Sequence, residues 1–311
     1  MPNYDRAALI AHARGSIRRG SKSFAAASRL FDRETRERVW LLYAWCRACD
    51  DLADAQDHGH ALGPPADAAS RLATIRALTG LALAGEPTGD PAFDALGLLA
   101  RETPITRAMA DDVIAGFALD AADWRPRGEA DMLRYCFHVA GAVGVMMAAV
   151  MDVAASDDDT LDRACDLGIA FQLANIVRDI REDAAAGRCY LPGDWLAAAH
   201  IAGGGASGEA LAPLVARACA LARGYEASAR IGAARLGFRQ RWAVLAAANI
   251  YGAIGREVER RGPRAWDQRV HTSRMAKLGF VARAFTQALR APRPTPKASP
   301  SRRELAALAR L

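Results

Sequence analysis

The sequence predicts an all-α protein. Apolar residues recur at helical spacing along most of the chain, and alanine and leucine, which are good helix formers, dominate these segments. No run of alternating apolar and polar residues with hairpin turns interrupts them. Of the 311 residues, 51% are hydrophobic and 24% are charged, as in a globular protein with a substantial core.

The helical segments follow one another with short turn-forming stretches between them. Helices are predicted over residues 5–19, 21–30, 35–55, 67–84, 91–100, 106–121, 129–151, 158–185, 209–235, 239–260 and 273–290. Stretches rich in Gly or Pro separate them, as at 58–65, 85–91, 125–128 and 203–208. Residues 291–300 contain four prolines and cannot continue a helix. We therefore expect one all-helical domain over 1–290 and a Pro-rich, flexible C-terminal tail over 291–311.

Charge and composition exclude several classes of function. The formal net charge of +6 and the isoelectric point near 9.2 favour anionic partners such as phosphates or a membrane surface. The basic residues are scattered and lack interleaved aromatics, so nucleic acid is not expected as a partner. Asp5 and Arg6 precede any apolar stretch, so we expect a cytoplasmic protein without a secretory signal. Cys46 and Cys49 lack the second pair that a zinc site needs.

Two helical segments carry polar stripes inside apolar surroundings. The first stripe consists of Tyr43, Arg47, Asp50 and Asp54. The second consists of Gly168, Gln172, Asn175, Asp179 and Asp183. Trp, Leu, Ile and Val flank both stripes on nearly every side, whereas a surface helix places its acids opposite its apolar face. The carboxylates are therefore expected to face either a metal in a cavity or a buried polar network.

Paired carboxylates one helical turn apart suit Mg²⁺, which takes a few protein oxygens and completes its shell with water and phosphate. Asn175 and Gln172 add neutral oxygens, and Arg47 and Arg178 can hold phosphate oxygens. The alternatives are a di-iron bundle and a buried salt-bridge network. The Glu-x-x-His signature of di-iron bundles is absent from both segments, and an ion-pair network needs more basic residues than the stripes contain. The pattern favours a magnesium–diphosphate site.

The two aspartate-rich motifs, DDLAD at 50–54 and DIRED at 179–183, resemble those of the squalene and phytoene synthase family of head-to-head prenyl synthases. Further matching segments are GSKSF (20–24), LYAWCR (42–47), LRYCFHVAGAVG (133–144), CDLGIAFQLANIVRDI (165–180), GRCYLP (187–192) and AWDQR (265–269). These segments run along nearly the whole predicted domain. The chain is most similar to the bacterial phytoene synthase branch of that family.

The resemblance implies a single isoprenoid-synthase-type helical bundle around a central apolar cavity. It implies Mg²⁺, with Mn²⁺ as a substitute, held by Asp50, Asp54, Asn175, Asp179 and Asp183. It implies diphosphate contacts from Ser21, Lys22, Arg47, Gln172 and Arg178. Positions that match the lining of the chain tunnel are Phe24, Tyr43, Val139, Ala140, Val143, Gly144, Gly168 and Tyr251. Ser28 follows Phe24 by one helical turn, and its small side chain is expected to leave room for a C20 chain.

The implied reaction joins two prenyl diphosphates through their C1-bearing ends, by way of a cyclopropyl diphosphate, and ends after proton loss. With two C20 geranylgeranyl diphosphates, the product is phytoene, a precursor in carotenoid biosynthesis. One alternative is a C15-using enzyme that makes dehydrosqualene, presqualene diphosphate or squalene; another is a non-enzymatic helical assembly factor. The final base stays open between the departed diphosphate, Tyr43 and Tyr251.

Further expectations concern cofactors and partners. No nicotinamide cofactor is expected, because the glycines at 203–205 lie in a loop and do not follow a strand. Long prenyl chains exchange poorly through water, so we expect peripheral association with a membrane surface. Enzymes that supply the prenyl diphosphate or desaturate the product are expected partners.

Overall fold

Helices account for nearly all regular structure in the part of the chain that the computed structural model describes. That part comprises residues 5–54, 56–57, 60–61, 68–122, 124–201, 206–290, 297 and 299–307, without the side chains of 22, 23, 54, 56, 57, 60 and 61. The all-α class predicted from the sequence is confirmed. The chain divides into two compact units, residues 1–122 with 145–158 and residues 123–144 with 159–311. The predicted domain boundary at residue 290 stays a prediction.

The α-helices of the described residues are, in chain order, α1 (Arg6–Gly20), α2 (Lys22–Ala27), α3 (Arg33–Asp54), α4 (Ala68–Leu83), α5 (Pro91–Glu102), α6 (Arg107–Ala121), α7 (Glu129–Cys136), α8 (Ala142–Val150), α9 (Asp158–Arg178), α10 (Ile180–Ala185), α11 (Gly193–Ala198), α12 (Gly208–Ala233), α13 (Phe238–Arg261), α14 (Arg274–Ala288) and α15 (Arg302–Ala307). Short 3₁₀ turns occupy Ser28–Leu30 and Gly262–Arg264, and a π-helical turn occupies Phe137–Gly141. In the loop after α3, the two-residue strands β1 (Gln56–Asp57) and β2 (His60–Ala61) pair antiparallel, with Gln56 opposite Ala61.

The first unit is built around α3. Helices α1 and α5 pack against α3, and α4 packs against α5 and α6. Ile17 of α1, Trp45 of α3 and Phe93 of α5 are fully buried in its core. The Trp45 indole donates a hydrogen bond to Thr79 Oγ1 at 3.3 Å, which satisfies the polar atom of this core side chain. This packing fixes one face of α3 and leaves the other, which carries the first aspartate stripe, accessible.

In the second unit, α13 packs against both α12 and α14, and side chains of α9, α12 and α13 line a common pocket. Two of these helices begin at serine caps. The Ser207 hydroxyl accepts a hydrogen bond from Ala210 N at 3.3 Å, and the Ser273 hydroxyl accepts one from Ala276 N at 3.1 Å. Such caps satisfy amide groups that have no partner inside the helix and so fix where α12 and α14 start.

The described C-terminal residues are tied to the first half of α9. Arg302 Nη1 donates to Asp162 Oδ1 at 2.7 Å. Asp166 is fully buried, and it accepts a hydrogen bond from Ser299 Oγ at 3.0 Å while Lys297 Nζ lies 3.4 Å from its other oxygen. Burial raises the pKa of Asp166, although these partners oppose the shift. The described part of the predicted tail thus contacts the second unit.

The predicted helix 129–151 contains a π-helical turn, Phe137–Gly141. A Cβ on Gly141 would lie 2.8 Å from Cys165 Sγ, so the turn packs closely on α9. Among the described residues, Glu129–Val150 is the one helical stretch long and apolar enough to cross a bilayer, with a hydropathy of 1.5. Because 67% of its most apolar window is buried inside the protein, it has the burial of a core helix.

Candidate active site

Helix α3 presents the first aspartate motif on its accessible face. Tyr43 and Arg47 are half-buried on this face, and Asp50 is exposed. Arg47 forms a salt bridge with Asp51 one turn later, with its Nε 3.1 Å from Asp51 Oδ2. The backbone of Asp54 ends α3, and its side chain lies outside the described part of the chain. Arg47, predicted to contact diphosphate, is therefore oriented by a motif residue for which we predicted no role.

The GSKSF segment meets this face at Tyr43. Gly20 ends α1, and a Cβ there would lie 2.2 Å from Tyr43 Oη, so the missing side chain lets the hydroxyl approach. Ser21 begins α2 by accepting a hydrogen bond from Phe24 N at 3.2 Å, and the Phe24 ring lies 5.8 Å from the Tyr43 ring. Burial raises the pKa of Tyr43, which keeps it a neutral phenol near pH 7. The Lys22 side chain lies outside the described residues.

Ser28 occupies a different environment from Phe24. Helix α2 ends at Ala27, and Ser28 opens a 3₁₀ turn where the sequence predicted a continuous helix over 21–30. Its hydroxyl donates to Ala25 O at 2.8 Å and accepts from Trp40 Nε1 at 3.0 Å, and only 1% of the residue is exposed. Phe24, by contrast, is 36% exposed. Ser28 is a buried partner of α3, and its place in a chain tunnel stays a prediction.

In the second unit, α9 crosses the π-helical turn and α8 at small residues. A Cβ on Gly168 would lie 2.1 Å from the carbonyl oxygen of Ala140, and one on Gly144 would lie 2.4 Å from that of Ala164. Backbone therefore meets backbone at this crossing, which glycine alone permits at both positions. The crossing brings together three predicted site residues, Ala140, Gly144 and Gly168, and fixes the position of the helix that carries the second aspartate motif.

One side of this apolar stretch is only partly buried. Its neighbours Phe137, Gly141, Ala142, Val145 and Met146 are buried. Four predicted lining residues are only partly buried: Val139, Ala140, Val143 and Gly144. They form two adjacent pairs whose members lie four residues apart, and so share one side of the helix. An accessible apolar surface of this kind suits contact with a hydrocarbon chain.

The second aspartate motif sits at a break between α9 and α10, where a continuous helix was predicted over 158–185. Asp179 joins the two helices, and Arg178 donates to its Oδ1 at 2.7 Å through Nε. Arg269, from the AWDQR segment, donates to the same oxygen at 3.0 Å. The Trp266 indole of that segment donates to Val177 O at 2.9 Å, which satisfies a carbonyl at the end of α9. The segment thereby both ends the helix and supplies a cation to the motif.

The two aspartates of this motif have opposite electrostatic environments. Burial disfavours ionisation of Asp179, but hydrogen bonds and charge from Arg178 and Arg269 outweigh it and lower the pKa. For Asp183, burial together with the negative charge of Asp179 raises the pKa to about 6. The backbone keeps the two residues one turn apart, because Asp183 N donates to Asp179 O at 2.8 Å. A cation between these carboxylates would relieve their repulsion.

Polar and aromatic groups complete this end of α9. Asn175 Nδ2 donates to Gln172 Oε1 at 3.4 Å, so these predicted site residues are neighbours on the helix. Tyr251 of α13 stacks on Phe171 with ring centroids 4.0 Å apart. No three His, Cys, Asp or Glu side chains in the described residues converge as a metal cage. A Mg²⁺ site that relies on one or two carboxylates and on phosphate does not need such a cage.

Two residues that form ion pairs at the motifs were not predicted from the sequence. Arg269 carried no predicted role, although its segment was noted among the family matches, and Asp51 was passed over between two predicted ligands. The helical spacing of Arg47 and Asp51, four residues apart, could have indicated their pairing. No local signal links Arg269 to Asp179, since 90 residues separate them and a loop brings them together.

Solved structures of other proteins show which class of fold this chain has. A dehydrosqualene synthase in complex with ligand matches 90% of this chain and 96% of its own, with a TM-score of 0.78 and 24% identity. A squalene synthase from Alicyclobacillus acidocaldarius matches 82% of this chain and 94% of its own, with a TM-score of 0.71 and 22% identity. At these identities the likeness shows the fold, which is that of the helical isoprenoid synthases.

Sequence comparison gives the family. The squalene/phytoene synthase family model matches residues 17–276, and the chain belongs to this family. A phytoene synthase from Pseudescherichia vulneris is 46% identical over 289 residues, covering 91% of this chain and 93% of the relative. A 15-cis-phytoene synthase from Pantoea ananas is 45% identical over 287 residues, covering 90% and 92%. The predicted resemblance is confirmed.

Proposed function

We propose that this protein is a prenyltransferase that joins two C20 geranylgeranyl diphosphates head to head to give phytoene, in carotenoid biosynthesis. The observation that carries the proposal is the 45–46% identity to phytoene synthases along about nine-tenths of both chains. The C15-using structural neighbours are less similar, at 24% identity or below, and support the fold alone. The C20 substrate is therefore favoured over the C15 alternative.

Diphosphate binding is assigned to cationic and amide groups near the two motifs. Arg178 and Arg269 already hold carboxylate oxygens of Asp179, and the planar guanidinium group binds phosphate oxygens with the same fork geometry. Arg47 on α3, which pairs with Asp51, is proposed to bind phosphate oxygens in the same way. Gln172 and the Ser21 hydroxyl add neutral donors, and Lys22 is retained from the family match. These groups neutralise the leaving diphosphate and hold its orientation.

The donor set at the second motif fits Mg²⁺. Burial and the negative charge of Asp179 raise the pKa of Asp183, so the protein's own cations do not fully stabilise this second carboxylate. A bound cation would supply the missing positive charge. Asn175 supplies a neutral oxygen one turn earlier. Asp50 and Asp54 are the proposed ligands on α3. Bound Mg²⁺, or Mn²⁺ in its place, would stabilise charge on the departing diphosphate.

The apolar residues of the site exclude water. The partly accessible face of Val139, Ala140 and Val143 is proposed to contact the prenyl chains, together with Phe24 and the Phe171–Tyr251 stack. Allylic cations react with water, so an apolar lining would protect the cations formed at the first and the second ionisation from capture by water. The final proton goes to the departed diphosphate or to a tyrosine, Tyr43 or Tyr251.

The test is product identification by mass with each substrate. Purified protein with Mg²⁺ should convert geranylgeranyl diphosphate to a C40 hydrocarbon faster than it converts farnesyl diphosphate to a C30 hydrocarbon. Asp50→Asn and Asp179→Asn should each abolish most turnover while the helical circular dichroism is kept. Asp111→Asn, at an exposed pair with Arg107, is the matched control and should retain activity. A C30 product as the main outcome would overturn the C20 proposal, and near-normal turnover of either motif variant would overturn the ligand assignment.

We further propose that the protein associates peripherally with membranes. A C20 substrate and a C40 product each carry many methylenes, at about 0.8 kcal/mol per buried CH₂, so exchange through water is strongly unfavourable. The net charge of +6 favours an anionic surface. Enzymes that make the diphosphate or desaturate the product would meet this protein at the same surface.

A further inference from the structure

Helix α14 exposes a continuous apolar stripe. Large apolar side chains are exposed at Met275 (76%), Leu278 (63%), Phe285 (40%) and Leu289 (66%), spaced at three, seven and four residues. These spacings place all four on one side of the helix. Phe238, at the start of α13, is 41% exposed and lies edge-on to Phe285 with centroids 5.5 Å apart, which widens the stripe.

The opposite side of α14 is fixed against α13, so the stripe cannot turn inward. The Trp242 indole donates to Val281 O at 2.9 Å, and Asn249 Nδ2 donates to Gln287 Oε1 at 3.0 Å. Ala284 and Ala288 are fully buried on that side. Five of the seven exposed large apolar residues among the described ones therefore lie on a single surface, the α14 stripe, which consists of Phe238, Met275, Leu278, Phe285 and Leu289.

The charge around the α14 stripe has one sign. Residues 268–303 contain no Asp or Glu and nine Lys or Arg. Arg274, Arg283 and Arg290 belong to this segment and are exposed next to the stripe. Of the nine cations, Arg269, Lys297 and Arg302 contact Asp179, Asp166 and Asp162. Many arginines elsewhere likewise pair with carboxylates, as between α12 and α13. An apolar strip bordered by cations is the pattern of a helix that lies in a membrane interface.

We propose that the α14 stripe is the surface through which this protein binds an anionic phospholipid bilayer, with Leu278, Phe285 and Leu289 entering the interface and Arg274, Arg283 and Arg290 contacting headgroups. The choice of a bilayer rests on the peripheral association proposed above, whereas the location rests on the stripe and its charge. A second copy of the chain is a less suitable occupant, because a symmetric contact would bring the same cations together without acidic partners.

The experiment is flotation of the full-length protein with vesicles of phosphatidylcholine containing 30% phosphatidylglycerol. Leu278→Gln/Leu289→Gln should lower the partition coefficient at least about tenfold, because glutamine keeps helix propensity and removes the apolar contact. Leu81→Gln is the matched control, since Leu81 is 38% exposed on α4, outside the stripe, and should bind like the wild type. Arg274→Gln/Arg283→Gln should weaken binding to anionic vesicles several-fold and leave the weak binding to pure phosphatidylcholine unchanged.

Turnover of detergent-dispersed geranylgeranyl diphosphate is measured in parallel and should be unchanged in all these variants. Equal flotation of Leu278→Gln/Leu289→Gln and the control would overturn the location while leaving membrane association standing. Absence of any vesicle-bound wild-type protein would overturn both the location and the membrane association. It would leave the proposed C20 reaction standing, because the detergent assay measures that reaction separately. A dimer by size-exclusion chromatography that the glutamine pair dissociates, with flotation unaffected, would assign the stripe to a second copy instead.

Discussion

The crossing of α9 over the π-helical turn should be sensitive to a single methyl group. In Gly168→Ala, the added Cβ would lie 2.1 Å from the Ala140 carbonyl oxygen and 2.7 Å from the Gly141 Cα. Normal contacts between such atoms are more than about 3 Å, so the helices would have to separate by about 1 Å. The atoms in the way belong to the backbone of Ala140 and Gly141, which cannot rotate away as a flexible side chain can.

The cost should lie at the upper end of the range for overpacking, about 2–3 kcal/mol in the free energy of unfolding. A part of this is offset, because alanine restricts the unfolded chain more than glycine by about 0.4–1 kcal/mol. The matched control is Gly224→Ala in the middle of α12, where a Cβ would meet no atom within 4 Å apart from the backbone of its own helix. There the same substitution should stabilise the protein by about 0.5–1 kcal/mol.

Urea unfolding followed by circular dichroism measures both variants, and the sign of the difference distinguishes them. Gly168→Ala should also raise the KM for the prenyl diphosphate, because Ala140 and Gln172 flank the crossing and would shift with it. A Gly168→Ala protein as stable as the Gly224→Ala protein would refute the close approach of the two backbones. A loss of stability without a change in KM would support the close packing of α9 and contradict the proposal that this crossing positions residues that bind the substrate.

Three further substitutions test other features of the molecule. Arg269→Gln should lower kcat/KM for the diphosphate about 10- to 100-fold with little change in stability, and an unchanged kcat/KM would remove it from the site. Arg302→Ala should cost about 1–3 kcal/mol in urea unfolding, because the buried carboxylate of Asp162 loses its guanidinium partner and keeps the hydrogen bond from the backbone N of residue 302; a loss below about 0.5 kcal/mol would contradict this. Ser28→Phe should shift turnover from C20 towards C15 diphosphates, whereas Ser28→Ala should lose only the hydrogen bonds to Trp40 and Ala25 and keep the substrate ratio. Equal ratios in both variants would remove Ser28 from the proposed tunnel.

Much of the fold could be predicted because its helices are long and strongly periodic. The stripe of Tyr43, Arg47 and Asp50 was predicted from spacing alone, and α3 places the three residues on one face. Spacing did not predict the end of α9 at Arg178. That end depends on the Trp266 indole, which arrives from a loop 89 residues later in the chain.

The same limit applies to the C-terminal residues. Four prolines in residues 291–300 predict that no helix continues there; of these residues only 297, 299 and 300 are described, and composition carries no information about what they contact. The partner of Lys297 and Ser299 is Asp166, one turn after Asp162, which pairs with Arg302. Acids on a helix whose other buried positions are mostly apolar indicate that partners exist, and tertiary structure is needed to say which ones.

The contacts of Ser299 and Arg302 with α9 also make the second unit depend on residues that are synthesised long after α9 itself. Asp162 and Asp166 are synthesised 140 and 133 residues before Arg302 and Ser299, with which they pair. Until those residues are available, the buried carboxylate of Asp166 lacks its contacts with Ser299 and Lys297, although the hydrogen bond from Ser228 remains, and burying a charge with too few partners is costly. A nascent or shortened polypeptide that lacks them can form the helices of the second unit but should close its core poorly and be exposed to proteases. Selection for an intact α9 would then extend to residues that lie more than a hundred positions after it in the chain.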